Sequence, residues 1–119
     1  MLQEEEGAPD ATRAAEDVDW IALSDDIGEI LDLSSVEGGM NHRFTTLDFD
    51  AIDGEMVFLA AMQTANGRDT ANLRYRNLDE DSVELKIAEE RSSDRERWHV
   101  LEEVDVLTGA AGSYELLLA

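Results

Sequence analysis

The segment MVFLAAMQTANGRDTANLRYRNLDEDSVELKIAEE (residues 56–90), followed by RWHVLEEVDVLTG (97–109), decides the fold. Its apolar residues alternate with polar ones or run together over the length of a β-strand. Asn66-Gly67 and the acidic cluster at 79–81 separate these runs, and such residues favour turns. The pattern predicts an antiparallel β-domain.

Two runs in this segment carry a carboxylate on an otherwise apolar face. In VELKIAEE (83–90) the odd-numbered positions form one face, which is apolar until Glu89, and in WHVLEEVDVLT (98–108) Glu102 falls between valines. A carboxylate on a buried face must be paired or hydrogen-bonded. We therefore predict a structural polar network of Arg74, Glu89, His99 and Glu102. Arg74 is the expected pairing cation. The network either orients the strands or binds a ligand at its exposed end.

The sequence on either side adds further strand-like runs to this segment. They are VDWIAL (18–23), GEILDLSSV (28–36), HRFTTLDF (42–49) and SYELLLA (113–119). Together they predict one all-β domain over residues 18–119, an antiparallel β-sandwich of six to seven strands. Residues 1–17 are acidic and nearly devoid of large apolar side chains, which predicts a flexible N-terminal arm. The alternative is an arm that becomes ordered against a neighbouring subunit.

The charge of the chain is strongly one-sided. There are 29 acidic residues and 9 basic ones, of which only Lys86 is a lysine, so the net charge is −20. In dilute salt this surface repels itself, whereas in molar salt the Debye length falls to about 3 Å and the repulsion is screened. The composition therefore favours a halophilic protein whose fold depends on salt. An acidic protein of a non-halophile is the alternative.

Several functions are disfavoured by the same composition. Nucleic-acid binding requires clustered Lys or Arg, and no cluster stands free of neighbouring acids. The chain has no cysteine, its N-terminus has no basic and apolar leader pattern, and no apolar run reaches membrane-spanning length. We expect neither nucleic-acid binding nor membrane insertion, and we expect synthesis and assembly in the cytoplasm.

Catalysis and metal binding are also not expected. The only histidines are His42 and His99, and a Ser-His-Asp arrangement would have to be built from poorly placed serines. The acidic stretches at 48–55 and 79–81 contain oxygen ligands but do not follow the spacing of a calcium loop. We therefore predict a non-enzymatic protein without catalytic residues, cofactor or dedicated metal site.

The same segment resembles the H-type lectin-like β-sandwich domains of halophilic archaea and their viruses. The resemblance covers roughly residues 28–116. The matching positions are Gln63, Thr64, Asn66, Gly67, Arg74, Asn77, Leu78, Glu89, His99, Glu102 and Val104. H-type lectins assemble as trimers and bind sugars near protomer boundaries, so the resemblance implies a homotrimer with glycan or receptor contacts at its rim.

Two functions follow from these observations. The first is a structural or adhesion module of a haloarchaeal virus particle (tail, fibre, turret or capsid decoration), which assembles with other virion proteins and binds host-surface glycans. The second is a cellular glycan-binding or scaffold protein that works in the cytoplasm or is exported by a route that the sequence does not reveal. For either function, the residues expected to contact a ligand or partner at the rim are Arg68, Asp69, Arg97 and Trp98. Trp98 is included because an exposed indole offers an apolar face to a sugar.

Overall fold

A computed structural model describes residues 15, 17–20, 22, 31–90, 95 and 97–113. These residues contain six β-strands and no helix. The strands are β1 Leu31–Ser35, β2 Thr45–Asp48, β3 Met56–Met62, β4 Ala71–Arg76, β5 Ser82–Glu89 and β6 Val104–Ala110. Every pairing between them is antiparallel, which confirms the predicted fold class.

The six strands form two three-stranded sheets, as in a small β-sandwich. One sheet has the order β1-β6-β3 and the other has the order β2-β5-β4, so β6 and β5 are the central strands. Alternation along β5 buries Val83, Leu85 and Ile87 completely, and β6 buries Val104 and Val106 to 1% exposure. Burial of each such side chain contributes about 1.5 to 3 kcal/mol, so these two strands supply most of the core.

The outer faces of the two sheets have opposite chemical character. On the first sheet, Leu33 of β1 lies opposite Leu107 of β6, which lies opposite Leu59 of β3. On the second sheet, Arg74 of β4 lies opposite Lys86 of β5. One outer face is therefore apolar and the other is charged.

Two of the predicted strands differ from those observed. Residues 18–20 and 22 are not in a strand, and Trp20 is 83% exposed. The strand expected from residue 98 begins at Val104, and before it Glu102 makes only an isolated bridge. In place of a regular ladder, two side chains of the loop after β3 bond to the backbone of this segment: the Asn66 amide donates to the Leu101 carbonyl, and the Thr64 hydroxyl accepts the Glu103 N–H.

Two other predictions fall largely outside the described residues. Of the N-terminal arm only residues 15 and 17 are described, and of the last predicted strand only residue 113 is described.

Candidate functional site

Three side chains meet in the interior next to the end of β5. The His99 ring lies between two carboxylates, with Nδ1 at 2.8 Å from Glu89 Oε1 and Nε2 at 3.0 Å from Glu102 Oε1. The side chain of His99 is 2% exposed, that of Glu89 is 5% exposed and that of Glu102 is 1% exposed. We call these residues the triad. It joins β5 to the segment that leads into β6.

The loop after β3 completes the shell around Glu102. The backbone N–H groups of Asn66 and Gly67 donate to Glu102 Oε2 and Oε1 at 2.9 and 2.8 Å, and the Thr64 hydroxyl donates to Oε2 at 2.5 Å. Desolvation raises the pKa of this carboxyl, but these three bonds and the His99 bond together outweigh it and lower the pKa to about 2. Glu102 is therefore ionised at neutral pH.

The two short contacts of His99 fix how many protons the triad holds. Each N···O contact needs one hydrogen, and Glu102 is a carboxylate, so His99 Nε2 donates to it. The second hydrogen sits on either His99 Nδ1 or Glu89 Oε1. Both arrangements give the triad a single net negative charge. Glu89 Oε2 is also buried and has no hydrogen-bond partner among the described residues.

Gly67 is required here because of close approach to the triad. A Cβ at this position would lie 2.3 Å from Cε1 and 2.8 Å from Nε2 of His99. Such distances are far inside van der Waals contact, and His99 is held on both sides and cannot move aside. Gly67 thus allows the loop to pack directly on the imidazole while its N–H reaches Glu102.

The expected pairing of Arg74 with these carboxylates is wrong. Arg74 is exposed, and within the described residues it forms no ion pair with Glu89 or Glu102. It lies on the outer face of its strand, opposite Lys86, whereas Glu89 points inward with Val83 and the rest of the buried face. His99 and backbone N–H groups take the place predicted for the arginine.

Arg74 instead lines a cleft on the outside of the second sheet. The cleft has a volume of about 540 Å³ and is lined by His42, Arg74, Lys86, Arg97 and the β5 segment 87–89. We call it the cationic cleft. Glu89 contributes to its wall, but its carboxylate binds His99 on the inward side of the strand. Three of the chain's 9 basic residues therefore meet around one cavity.

The basic side chains of the cationic cleft have no acidic partners in the part of the chain that the structure describes. Arg74, Lys86 and Arg97 form no ion pair with any residue that the structure describes. On the same sheet Arg76 behaves differently, since its Nε and Nη2 donate to both carboxylate oxygens of Glu84 at 2.9 and 3.0 Å. That pair raises the pKa of the Arg76 guanidinium and lowers the pKa of Glu84, each chiefly through the hydrogen bond between them.

Two of the four predicted rim residues lie at this cleft. Arg97 lines it, and Trp98, which is 61% exposed, has its ring 6.4 Å from the ring of His42. Arg68 and Asp69 follow Gly67 in the loop after β3 and do not line the cleft. The structure thus brings Arg97 and Trp98 to one place and leaves Arg68 and Asp69 outside it.

No family model, no curated protein and no solved structure matches this chain. The resemblance to H-type lectin-like domains stays a prediction. Among the described residues, no three His, Cys, Asp or Glu side chains are arranged to hold a metal ion. Nor does this part of the chain contain a helix with the length and apolar character needed to cross a bilayer.

Sequence reasoning missed His42 and Lys86 as members of a site. Lys86 was detectable, because it is the only lysine of the chain and sits on the polar face of a clearly alternating strand. Its Nζ lies 4.8 Å from the centre of the Phe44 ring, which holds it over the sheet. No signal in the sequence pointed to His42. Its side chain is held beside the cleft by a hydrogen bond from the backbone N–H of His99, and this long-range contact exists only in the folded chain.

Proposed function

We propose that this chain is a non-enzymatic structural and adhesion module of a haloarchaeal virus particle, and that it acts as a homo-oligomer. The acidic composition supports a salt-rich setting, and the small β-sandwich supports a module that assembles by packing its sheets. The triad also favours binding over catalysis, because its groups are buried and already hydrogen-bonded. A general acid or base must reach a substrate, and these side chains are at most 5% exposed.

The observation that carries the assembly role is the apolar outer face of the sheet β1-β6-β3. Leu33, Leu107 and Leu59 form one row across the three strands, and Leu31 and Val57 flank Gly109 in the next row. We call these five apolar side chains the leucine face. Leu33 is 66% exposed and Leu59 is 60% exposed. These apolar side chains remain in contact with water unless another molecule covers them.

A second copy of the chain is the occupant that fits the leucine face. Among the nine outward-facing register positions of the sheet β1-β6-β3 only Asp105 is charged, and it accepts a hydrogen bond from the Ser35 hydroxyl at 2.6 Å. Elsewhere the surface carries the excess of acidic residues that makes the net charge −20. Copies that pack their leucine faces around a common symmetry axis bury apolar area while their acidic surfaces stay in solvent, where salt screens them.

The oligomeric state in molar sodium chloride tests this proposal. Light scattering coupled to size exclusion should give three times the protomer mass of 13.2 kDa, because the lectin resemblance implies a trimer. Leu33→Gln should shift the protein toward the monomer, since it places an amide in the covered face. Leu101→Gln is the matched control, because Leu101 is also an exposed leucine (53%) but lies outside the leucine face.

Each result of this experiment has a distinct meaning. A wild-type monomer at high concentration would reject the assembly role. A dimer that Leu33→Gln dissociates would keep the leucine face as the contact and reject the trimer. An oligomer that responds equally to Leu33→Gln and Leu101→Gln would reject the leucine face as its interface.

A further inference from the structure

The cationic cleft is unexpected in a chain of this charge. With 29 acidic residues present, a basic side chain has many possible partners, and Arg76 shows that the second sheet can form a bidentate ion pair. Arg74 and Lys86 lie one row away, directly opposite each other on adjacent strands. Like charges in this arrangement repel and weaken the sheet. A bound anion would remove that repulsion.

From this arrangement we infer that the cationic cleft binds the acidic group of an anionic sugar. The guanidinium groups of Arg74 and Arg97 present planar sets of donors that match the two oxygens of a carboxylate or sulfate group. Lys86, which also lines the cleft and is half-buried, adds a point charge. The volume of about 540 Å³ is in the range of small-molecule sites.

The histidine at the cleft supplies a directed neutral donor. His42 Nδ1 accepts the His99 backbone N–H at 3.3 Å, so in the neutral ring the proton is on Nε2. No hydrogen bond from Nε2 is found to any described residue, which leaves this N–H for a ligand. Because His99 belongs to the triad, the bond also ties the cleft to the rigid interior.

The exposed indole of Trp98 indicates what carries the acidic group. Its ring is tilted by 48° to the His42 ring at 6.4 Å, and 61% of the residue is exposed. A flat apolar surface beside cationic donors suits a sugar ring whose C–H face stacks on the indole while its acid reaches the arginines. A long polyanion such as single-stranded DNA is less suited, because the net charge of −20 repels every phosphate outside the cleft.

This inference deepens the adhesive role proposed above and rests on it, yet a free sugar tests it directly. Sodium glucuronate is titrated into the full chain at the lowest sodium chloride concentration at which circular dichroism shows the native fold. The indole N–H of Trp98 is followed by ¹H–¹⁵N NMR. We expect saturable binding of glucuronate, weaker binding of inorganic sulfate, which cannot stack, and no binding of glucose, which lacks the charge.

Charge-neutral variants with a matched control locate the site. Arg74→Gln and Lys86→Gln should each weaken glucuronate binding about tenfold, the value typical for a lost hydrogen bond to a charged group. Arg76→Gln removes the same charge from the same sheet, but its guanidinium is already bound to Glu84, so the affinity should not change. Trp98→Ala should reduce glucuronate binding to the level of sulfate.

Several outcomes would overturn the inference. Equal binding of glucose and glucuronate would remove the role of the cations, and equal binding of sulfate and glucuronate would remove the role of the indole. Binding of a short oligothymidylate in place of glucuronate would assign the cleft to nucleic acid. If the protein is an oligomer that does not bind glucuronate, the binding role of the cleft is rejected and the proposed assembly is kept. If the protein is a monomer that binds glucuronate, the proposed assembly is rejected and the binding role of the cleft is kept.

Discussion

The triad and the cationic cleft both include residues of β5 but use charge in opposite ways. In the triad, His99 is held by two carboxylates, and one of these, Glu102, receives three further hydrogen bonds. In the cationic cleft, Arg74 and Lys86 face each other without an acidic partner among the described residues. The charges of the triad are held by hydrogen bonds within the chain, whereas the cations of the cleft have no partner of opposite charge among the described residues.

This difference separates a structural role from a binding role. A buried charge that loses its partner remains desolvated, so the triad affects stability strongly. An exposed cation that is removed leaves water in its place, so the cleft affects stability little. We therefore expect variants of the triad to change folding and variants of the cleft to change ligand affinity, with little overlap.

The largest expected effect comes from removing the histidine of the triad. His99→Phe keeps an aromatic ring but removes both contacts, which leaves Glu89 and Glu102 buried without the partner they share. It should lower the free energy of unfolding by about 3 to 5 kcal/mol, as measured by urea denaturation in molar salt. Arg74→Gln in the cationic cleft removes a repulsion with Lys86 and breaks no ion pair among the described residues, so it should change the free energy of unfolding by less than about 1 kcal/mol. Equal losses would contradict the separation of the two regions.

A smaller effect is expected where the loop after β3 packs on the triad. Gly67→Ala would place its Cβ 2.3 Å from the His99 ring, so either the loop or the ring must shift. Overpacking of this kind costs about 1 to 3 kcal/mol. Gly112→Ala is the control, since its Cβ would meet nothing within 4 Å. If thermal unfolding of both variants matches the wild type, the loop is not held tightly against His99.

Much of the fold was predictable from the sequence because apolar and polar residues alternate clearly in a strand that has one buried face and one exposed face. The run at 83–90 became β5, Ser82–Glu89, and the run at 42–49 contains β2, Thr45–Asp48. The weaker run at 18–23 is not a strand where it is described, and its apolar residues Val18 and Trp20 are exposed. A short apolar patch has no period that distinguishes a strand from an exposed segment.

The sequence predicted the two carboxylates of the buried network correctly but assigned them the wrong cationic partner. Glu89 and Glu102 stood on apolar faces, which signalled that each needs a partner. Arg74 was assigned to them as an available cation, yet period-two alternation places it on the outer face of β4. The backbone donors of Asn66 and Gly67 carry no sequence signal, because any residue supplies an N–H.

The most direct test of the structural role of the triad is the pH dependence of stability in wild type and Glu102→Gln. The pKa of Glu102 in the folded chain is about 2, below its ordinary value of 4.5. Its ionised form therefore stabilises the fold fully above pH 4.5, and this contribution is lost as the pH falls toward 2. At about 1.4 kcal/mol per pH unit, the contribution is about 3 kcal/mol.

Urea denaturation of both proteins in molar salt, from about pH 7 down to about pH 2, gives the measurement. Protonation of the other carboxylates relieves repulsion equally in both proteins, so only the difference between their free energies of unfolding is considered. We predict that wild type is the more stable protein at neutral pH and that the difference narrows by about 3 kcal/mol between pH 4.5 and pH 2. A difference that stays constant over this range would contradict an ionised, hydrogen-bonded Glu102 at the centre of the fold.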